Sequence, residues 1–443
     1  MRLKFTIRAA AASLILAIAV VLGVRSIAEA HTTLVASEPA IDATLTSPPS
    51  RVRLVFSEQI EAGMASIALV GADGASRPLS VVGDPHDVHA IIGAVSGLST
   101  GVFRVVWHVV SADGHPVGGS FLFTVGTGGA RAVAPPELPV SEPAATWGPT
   151  LAGAPLVPAV LRGLAVGSLM AVAGLLLFIV WMGSERDTRA MTFARRLVAI
   201  APLLTLAHLA AWMLNAAPDH RLTGDWMDAA MGSTVGRVEL WRTILSLAPL
   251  WALVLARRTT LALALTIAAL LASAAIGHAA ATDAVVAIPA KALHLLAGAA
   301  WLGCLLWLIL RTDADDPRAD RDALRVSSVA LAAVIVVLFS GVVQTLILVP
   351  IRDLVSTYGA VVGAKLIGVV VLVAFGAYNR LRVLPRLADG TLASAARGSL
   401  RLTVRREVAV MTIVILLGGL LSYVSPPAGA GPASHTNGSD AHS

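Results

Sequence analysis

Cysteine is nearly absent from this sequence, in which Cys304 is the single example among 443 residues. One cysteine cannot form an intramolecular disulfide or a Cys-x-x-Cys metal site, so soft-metal chemistry would need histidine or methionine. Charged residues are also scarce, at 14% of the chain, whereas a soluble domain carries about 25%. Hydrophobic residues make up 56% and the mean hydropathy is +0.79. We therefore expect most of the chain to lie in a lipid bilayer.

Motifs that mark ATP-driven or catalytic proteins are missing as well. The chain has no Gly-x-x-x-x-Gly-Lys-Ser/Thr phosphate loop and no Asp-Lys-Thr-Gly phosphorylation motif, which argues against an ATP-driven pump. No Ser-His-Asp or paired-carboxylate arrangement stands out, so we do not expect an enzyme. We attribute the net charge of +6 to arginines in cytoplasmic loops of a membrane protein, and not to nucleic-acid binding.

Residues 1–30 have the pattern of a secretory signal peptide. Basic residues lie between positions 2 and 8, an apolar run covers 9–24, and Ala-Glu-Ala at 28–30 forms a small-x-small cleavage site. An uncleaved signal anchor is the alternative. Cleavage after this site would leave His31 as the mature N-terminus with a free amine.

Residues 31–127 are predicted to form an all-β domain. Short segments alternate in hydrophobicity with period two, and Gly, Pro, Asp and Ser separate them. Several short strands at close spacing are typical of a sandwich or a barrel. The predicted strands lie at 51–58, 66–70, 79–82, 90–95, 102–110 and 121–125.

The sharpest feature of this domain is the segment Ser111-Ala-Asp-Gly-His115. Residues two apart in an extended segment point to the same side, so Asp113 and His115 can share one metal ion. A mature His31 would add an imidazole and an amine. Three nitrogens and one carboxylate oxygen suit the tetragonal coordination that Cu(II) prefers. The competing interpretation is an ordinary Asp-Gly hairpin turn without a metal.

A second group of potential ligands lies in a polar segment. His86 and His89 stand next to Asp84 and Asp87. A secondary metal site is one interpretation, and an exposed loop is the one that we favour.

Residues 31–127 resemble the CopC copper-binding proteins. The resemblance rests on His31-Thr-Thr-Leu-Val-Ala-Ser-Glu-Pro-Ala, on the segment 52–58, and on Trp107 with Ser111-Ala-Asp-Gly-His-Pro-Val-Gly. It implies an Ig-like or cupredoxin-like β barrel with Cu(II) ligands at His31, Asp113 and His115. Glu58 matches an acid that stands behind the ligands in this family. Because Met64 is the only methionine of the domain, we predict no separate Cu(I) site.

A Gly/Ala/Pro-rich linker is predicted at 128–155, and we expect it to leave the orientation of the β domain unfixed. An all-α polytopic membrane domain of eight helices follows at 156–425, since about 20 apolar residues cross a bilayer. The tail, 426–443, is predicted to be disordered. The eight predicted spans are 157–182, 194–215, 238–256, 260–279, 286–310, 326–349, 360–380 and 406–424.

Arginine distribution gives the orientation of these spans. Alternate loops, starting with 183–193, are rich in arginine, and the positive-inside rule places them in the cytoplasm. Both ends of the membrane domain then lie outside the cytoplasm, which agrees with an exported β domain at a bacterial inner membrane. Arg242 and Lys365 open the third and seventh spans within a weak internal repeat, and we expect them to snorkel to the interface.

Histidines inside the spans are candidate members of a copper pathway. His208, His278 and His294 lie at similar depth towards the outer side, and neutral imidazole is a good copper ligand. Met227 and Met231 share a helical face and could add thioethers. The alternative is that these side chains only make packing contacts.

The membrane half resembles the CopD family, which is associated with copper transfer through the inner membrane. The resemblance rests on His294-Leu-Leu-Ala-Gly-Ala-Ala-Trp-Leu-Gly, on Thr357-Tyr-Gly through Lys365 to Asn379-Arg, and on Arg405-Arg-Glu. The whole chain therefore looks like a CopC–CopD fusion.

These features lead to three hypotheses for the function. The first is copper import, in which the β domain captures Cu(II), with or without a periplasmic donor, and passes it to the membrane histidines. The second is a cupric reductase that holds b-type haem between paired histidines. The third is a tethered copper buffer. The sequence does not determine the oligomeric state or the energy source.

Overall fold

The computed structural model describes residues 32–112, 114–126, 149–151, 154–217, 220–275, 284–313, 319–348, 357–387 and 393–424. The predicted signal peptide, the ligands His31 and Asp113, and His278 lie outside the described residues. The same is true of the tail and of most of the predicted linker.

The N-terminal domain consists of two packed β-sheets. One sheet has the strand order β1-β3-β7-β6, and the other has the order β2-β9-β8-β4-β5. The strands are β1 (Leu34–Glu38), β2 (Thr44–Leu45), β3 (Arg51–Phe56), β4 (Ser66–Val70), β5 (Ser76–Pro78), β6 (Val81–Asp84), β7 (Asp87–Ala94), β8 (Gly101–Val110) and β9 (Pro116–Val125).

Period-two alternation decides which side chains fill the space between the sheets. In β3, Val52, Leu54 and Phe56 are buried, while the alternate residues Arg51, Arg53 and Val55 are not. Trp107 from the opposite sheet packs edge-on against Phe56, with ring centroids 5.1 Å apart. The predicted all-β domain is therefore confirmed, and its described strands form a two-sheet sandwich.

The helical domain follows a short two-strand pairing, β10 (Thr150–Leu151) with β11 (Ala154–Pro155). Its helices are α1 (Leu156–Trp181), α2 (Thr188–Ala216), α3 (Gly224–Gly232), α4 (Thr234–Leu250), α5 (Thr259–Ala272), α6 (Ala284–Asp313), α7 (Ala319–Leu348), α8 (Thr357–Tyr378), α9 (Leu384–Leu387) and α10 (Ala393–Leu421). Wider π-helical turns extend α4 over Trp251–Leu255 and α8 over Asn379–Val383.

Six helical segments of the described chain are long and apolar enough to cross a membrane. The count of eight that we predicted is not confirmed. The fourth predicted span corresponds to a shorter apolar segment, Thr259–Ala275. The eighth corresponds to α10, whose first half is rich in arginine.

Helix α1 is the central helix of the bundle, packed against α2, α5, α6 and α10. Two glycine contacts allow its backbone to approach its neighbours closely. Gly174 faces Gly303 of α6, and Gly163 faces Gly419 of α10. In apolar lipid there is no hydrophobic driving force for helix association, so close van der Waals packing must stabilise the contact. Small residues are favoured there because they let the backbones approach closely.

The β domain is docked on the helical domain. Thr234 N donates to Glu61 Oε1 at 2.8 Å, and Trp212 Nε1 donates to Gly114 O at 3.0 Å. A shared apolar cluster joins Met64 and Val110 of the sandwich to Leu209, Trp212, Met213, Ala216, Ala230 and Val235 of the bundle. Our expectation of an unfixed orientation was therefore wrong, because the hairpin face of the sandwich is apolar enough to pack on the helices.

Candidate functional site

The predicted metal loop connects β8 to β9. Ser111 N donates to His115 O at 3.0 Å, and Gly114 N donates to Ser111 O at 2.8 Å. Gly114 has φ +92°, a left-handed conformation that favours glycine, and a Cβ at this position would lie 2.9 Å from Val235 Cγ1. The tight loop thus presents His115 at the end of the sandwich that faces the helical domain.

Glu58 lies beside the chain neighbours of the predicted ligands. Thr32 Oγ1, one residue after His31, donates to Glu58 Oε2 at 3.0 Å. On the other side, Ala112 N donates to Gln59 O at 2.9 Å. The fold therefore brings the start of the domain, the end of β3 and the 111–115 loop together, which is what a site built from positions 31, 113 and 115 needs.

His115 also contacts the end of α10. Its Nε2 lies 2.6 Å from Ser422 O, and a carbonyl can only accept, so Nε2 carries a proton and donates. Its ring meets Tyr423 edge to face, with centroids 5.6 Å apart. One predicted copper ligand is thus in direct contact with the membrane domain.

Tyr423 links this loop to a buried ionic cluster. Tyr423 Oη lies 3.0 Å from His208 Nε2. His208, Glu239 and Arg242 are each 0% exposed. Glu239 and Arg242 are three residues apart on α4 and therefore lie on one face of this helix. Ser233 caps the N-terminus of α4, because its hydroxyl oxygen accepts a hydrogen bond from Gly236 N at 3.0 Å.

The contacts of Arg242 define the state of the cluster. Arg242 Nη2 is paired with Glu239 Oε2 and lies 2.7 Å from His208 Nδ1. A guanidinium only donates, so Nδ1 of His208 accepts, and the ring proton is on Nε2 and is donated to Tyr423. Arg162 of α1 adds a second guanidinium, with Nη1 3.5 Å from Glu239 Oε1.

The sequence prediction for Arg242 was wrong, and three members of the cluster were missed. Arg242 does not snorkel to the interface, because it is buried between helices beside Glu239. Arg162, Glu239 and Tyr423 were not predicted. A signal existed for the first two, because ionisable residues inside apolar spans usually have a function.

His294 lies in a different contact. Its Nδ1 donates to Val337 O at 3.1 Å and lies 3.1 Å from Ser340 Oγ, both on α7. This geometry agrees with the packing interpretation of His294 and does not by itself join it to the His208 cluster.

The predicted methionine pair does not line a common path. Met231 is partly buried against the shared apolar cluster, whereas Met227 is 41% exposed. The two thioethers therefore contribute packing and surface in this structure.

The acidic residues beside His86 and His89, where a secondary metal site was the less favoured interpretation, bind an arginine. Asp84 Oδ2 and Asp87 Oδ2 accept from Arg53 at 2.7 and 3.1 Å. A backbone hydrogen bond from His86, followed by the Arg53 contact, lowers the pKa of Asp84, and a backbone hydrogen bond from His89 lowers that of Asp87. Within the described ranges, no group of three or more His, Cys, Asp or Glu side chains is arranged to hold a metal.

The described chain is a membrane protein of two parts, a β sandwich whose histidine loop is docked on the helices and a bundle with six segments that can cross a membrane. Comparisons with known families identify both parts. The CopC domain family matches residues 34–126, the family "Copper resistance protein D-like, N-terminal domain" matches 154–288, and "Copper resistance protein D" matches 320–421.

Similar individual proteins match about a quarter of the chain. Copper resistance protein C of Pseudomonas syringae pv. tomato is 32% identical over 111 residues, which cover 23% of this chain and 86% of that protein. Copper transport protein CutJ of Bacillus subtilis is 33% identical over 99 residues, which cover 22% of this chain and only 18% of that protein. The crystal structure of CopC from Methylosinus trichosporium OB3b shares 25% identity, covers 23% of this chain and 98% of its own, and gives a TM-score of 0.21. The chain therefore belongs to the copper resistance proteins, as a fusion of a CopC domain with a CopD-type membrane domain.

Proposed function

We propose that this protein binds Cu(II) with its β domain outside the cytoplasm and transfers copper inward through its helical domain at the bacterial inner membrane. The observation that carries the proposal is the position of Tyr423. Its ring contacts His115 of the metal loop, and its hydroxyl contacts the buried His208.

The binding step would use His31, Asp113 and His115. Copper is the cargo, held by two imidazoles, the amine of a cleaved N-terminus and one carboxylate, a set that suits Cu(II). Glu58 supports this site by holding Thr32 next to the N-terminus. A hydrogen bond from the non-ligating nitrogen usually orients a metal-binding histidine, and Ser422 O offers this to His115.

The transfer step would run from the loop towards His208 and Glu239. These groups lie directly beneath the docked β domain and provide an imidazole nitrogen and a carboxylate oxygen inside the bundle. His278 and His294 remain candidates for later positions. The eight-span topology, with arginine-rich loops in the cytoplasm, belongs to this proposal and would direct the path inward.

Total copper per cell, measured by elemental analysis at low external copper, tests this function. Expression of the wild-type protein should raise cell copper. His115→Ala should weaken the rise and His208→Ala should abolish it, whereas the exposed His86→Ala is the matched control and should leave the rise intact. No rise with the wild-type protein, or a fall, would reject import and favour export or buffering.

The haem hypothesis gains no support from the described histidines. Both ring nitrogens of His208 are engaged within the protein, whereas the Nδ1 hydrogen bond of His294 to α7 leaves only this one of the two described membrane histidines as a candidate axial ligand, and the paired arrangement needs two. A Soret band in the purified protein would revive this hypothesis.

A further inference from the structure

We propose that His208 and Glu239 form a buried copper transit site that the guanidinium of Arg242 occupies in the state described here. Arg242 is then a tethered cation that closes the path and must move aside when copper enters. This inference rests on the proposed function, because it requires that copper pass through the helical domain.

The first argument is the direction of the donor atoms. Because Arg242 can only donate, the lone pair of His208 Nδ1 points at Arg242 Nη2, 2.7 Å away. Glu239 Oε2 pairs with the same nitrogen. A neutral imidazole nitrogen and a carboxylate oxygen thus converge on one position, and this position holds a positive charge.

The second argument is that a single nitrogen of Arg242 makes its polar contacts. Its Nε and Nη1 have no hydrogen-bond partner among the residues that the structure describes, although the side chain is 0% exposed. A buried guanidinium normally engages most of its five donors. Arg242 is therefore held through one nitrogen, so that its polar contacts with Glu239 and His208 are the ones that must break when it moves aside.

The third argument is charge balance. Arg162 Nη1 lies 3.5 Å from Glu239 Oε1. Lys291 of α6 is close enough to interact electrostatically with Arg162, Glu239 and Arg242. With Arg242 in place, cationic side chains outnumber the one carboxylate, so the cluster repels an entering metal ion. Displacement of Arg242 removes one positive charge and frees both donors.

A two-donor site also fits the needs of transfer. A conduction path needs sites that bind well enough for entry and weakly enough for release. The β-domain site has more donors than His208 and Glu239 and should bind copper more tightly. Net transfer to the buried pair therefore requires that the ion then moves further along the path, which is expected of a transit site and not of a storage site.

The test uses the full-length protein in lipid vesicles. Copper chloride is supplied outside, with and without ascorbate so that Cu(II) and Cu(I) are both offered, and the copper trapped inside is measured by elemental analysis. Arg242→Gln keeps a hydrogen-bond donor on a shorter side chain and removes the charge. We expect initial uptake about tenfold faster or more, since a unit charge beside the path is removed. Arg242→Lys, which keeps the charge, should stay closer to the wild type.

A binding measurement gives an independent readout. In purified protein with His115→Ala, the added Arg242→Gln change should expose one further copper equivalent, and Glu239→Gln should remove it again. If Arg242→Gln does not yield a monodisperse protein, Arg242→Lys is used. The lysine side chain is shorter, so its ammonium should contact His208 and Glu239 less well, and copper binding should increase partially.

The outcomes separate this inference from the proposed function. Uptake by the wild type with equal or slower uptake by a well-folded Arg242→Gln protein would overturn the role of Arg242 and leave transport standing. No uptake by the wild type, with or without ascorbate, would reject transport itself. In that case a further copper equivalent in Arg242→Gln would still support the buried site, and its absence would reject it.

Discussion

Replacing Tyr423 with phenylalanine separates copper binding from copper transfer. Phenylalanine keeps the ring that lies against His115, with centroids 5.6 Å apart, and removes only the hydroxyl that lies 3.0 Å from His208 Nε2. His208 is 0% exposed, so its ring N–H would lose its partner in a site with little access to water. Leaving a buried donor unpaired costs about 1–3 kcal/mol.

This cost destabilises the His208 tautomer whose Nδ1 faces the copper path, because the Nε2 hydrogen bond to Tyr423 fixes that tautomer. A loss of about 1–3 kcal/mol corresponds to a decrease of about 5- to 150-fold in the rate or occupancy that depends on it. We therefore expect Tyr423→Phe to bind Cu(II) at the β domain like the wild type and to fill vesicles more slowly by a factor in this range.

The assay combines Cu(II) binding by the purified protein, followed by electron paramagnetic resonance, with copper accumulation in vesicles. Tyr378→Phe is the matched control, because Tyr378 is 45% exposed on the bundle surface. Equal accumulation by Tyr423→Phe and wild type would refute the role of the hydroxyl. A parallel loss of Cu(II) binding would place Tyr423 in the binding site and contradict the division into two steps.

Three further predictions follow from the packing and the charges. Gly114→Ala should loosen docking of the β domain, since its Cβ would lie 2.9 Å from Val235 Cγ1 and the residue has φ +92°. Faster protease cleavage between the domains would show this, and an unchanged cleavage pattern would argue against the docked arrangement. Gly303→Ala should prevent stable assembly because the new Cβ meets the Gly174 backbone, whereas Gly363→Ala, with open space around it, should not; size-exclusion profiles in detergent distinguish them. The lowered pKa values of Asp84 and Asp87 mean that their stabilising effect is present above the ordinary value of 3.8 and is lost as pH falls below it. Arg53→Ala should therefore lower the melting temperature of the β domain at pH 7 more than at pH 3, and an equal decrease at both pH values would contradict this reasoning.

Much of the β domain could be predicted from sequence because its signals are local. Alternation in residues 51–58 places Val52, Leu54 and Phe56 in the core, and Gly114 and His115 lie in the loop between β8 and β9, where the composition predicts a turn. The ligands His31 and Asp113 stay predictions, because they lie outside the described residues.

The ionic cluster could not be assembled from sequence because its members are far apart along the chain. Tyr423 contacts His208, which is 215 residues away, and His115, which is further still. Helical periodicity says which face of α4 carries Glu239 and Arg242, but it does not say which helix covers that face. This depends on the glycine contacts that bring α1 and α10 together.

The number of spans was the weakest prediction for a related reason. Hydropathy identifies apolar stretches, but it does not fix where a helix ends or whether a short one crosses. Within the described residues, the fourth stretch forms the shorter apolar segment Thr259–Ala275. The arginine-rich first half of α10 makes its composition differ from that of an ordinary span.

The most direct test of the central claim is the location of copper after loading of the β domain in vesicles. The protein is charged with one equivalent of Cu(II), excess metal is removed, and copper inside and outside is measured over time in wild type and His208→Ala. The account predicts that copper moves inside with the wild type and stays bound outside with His208→Ala. Equal movement in both proteins, or none in either, would contradict transfer from His115 through Tyr423 to His208.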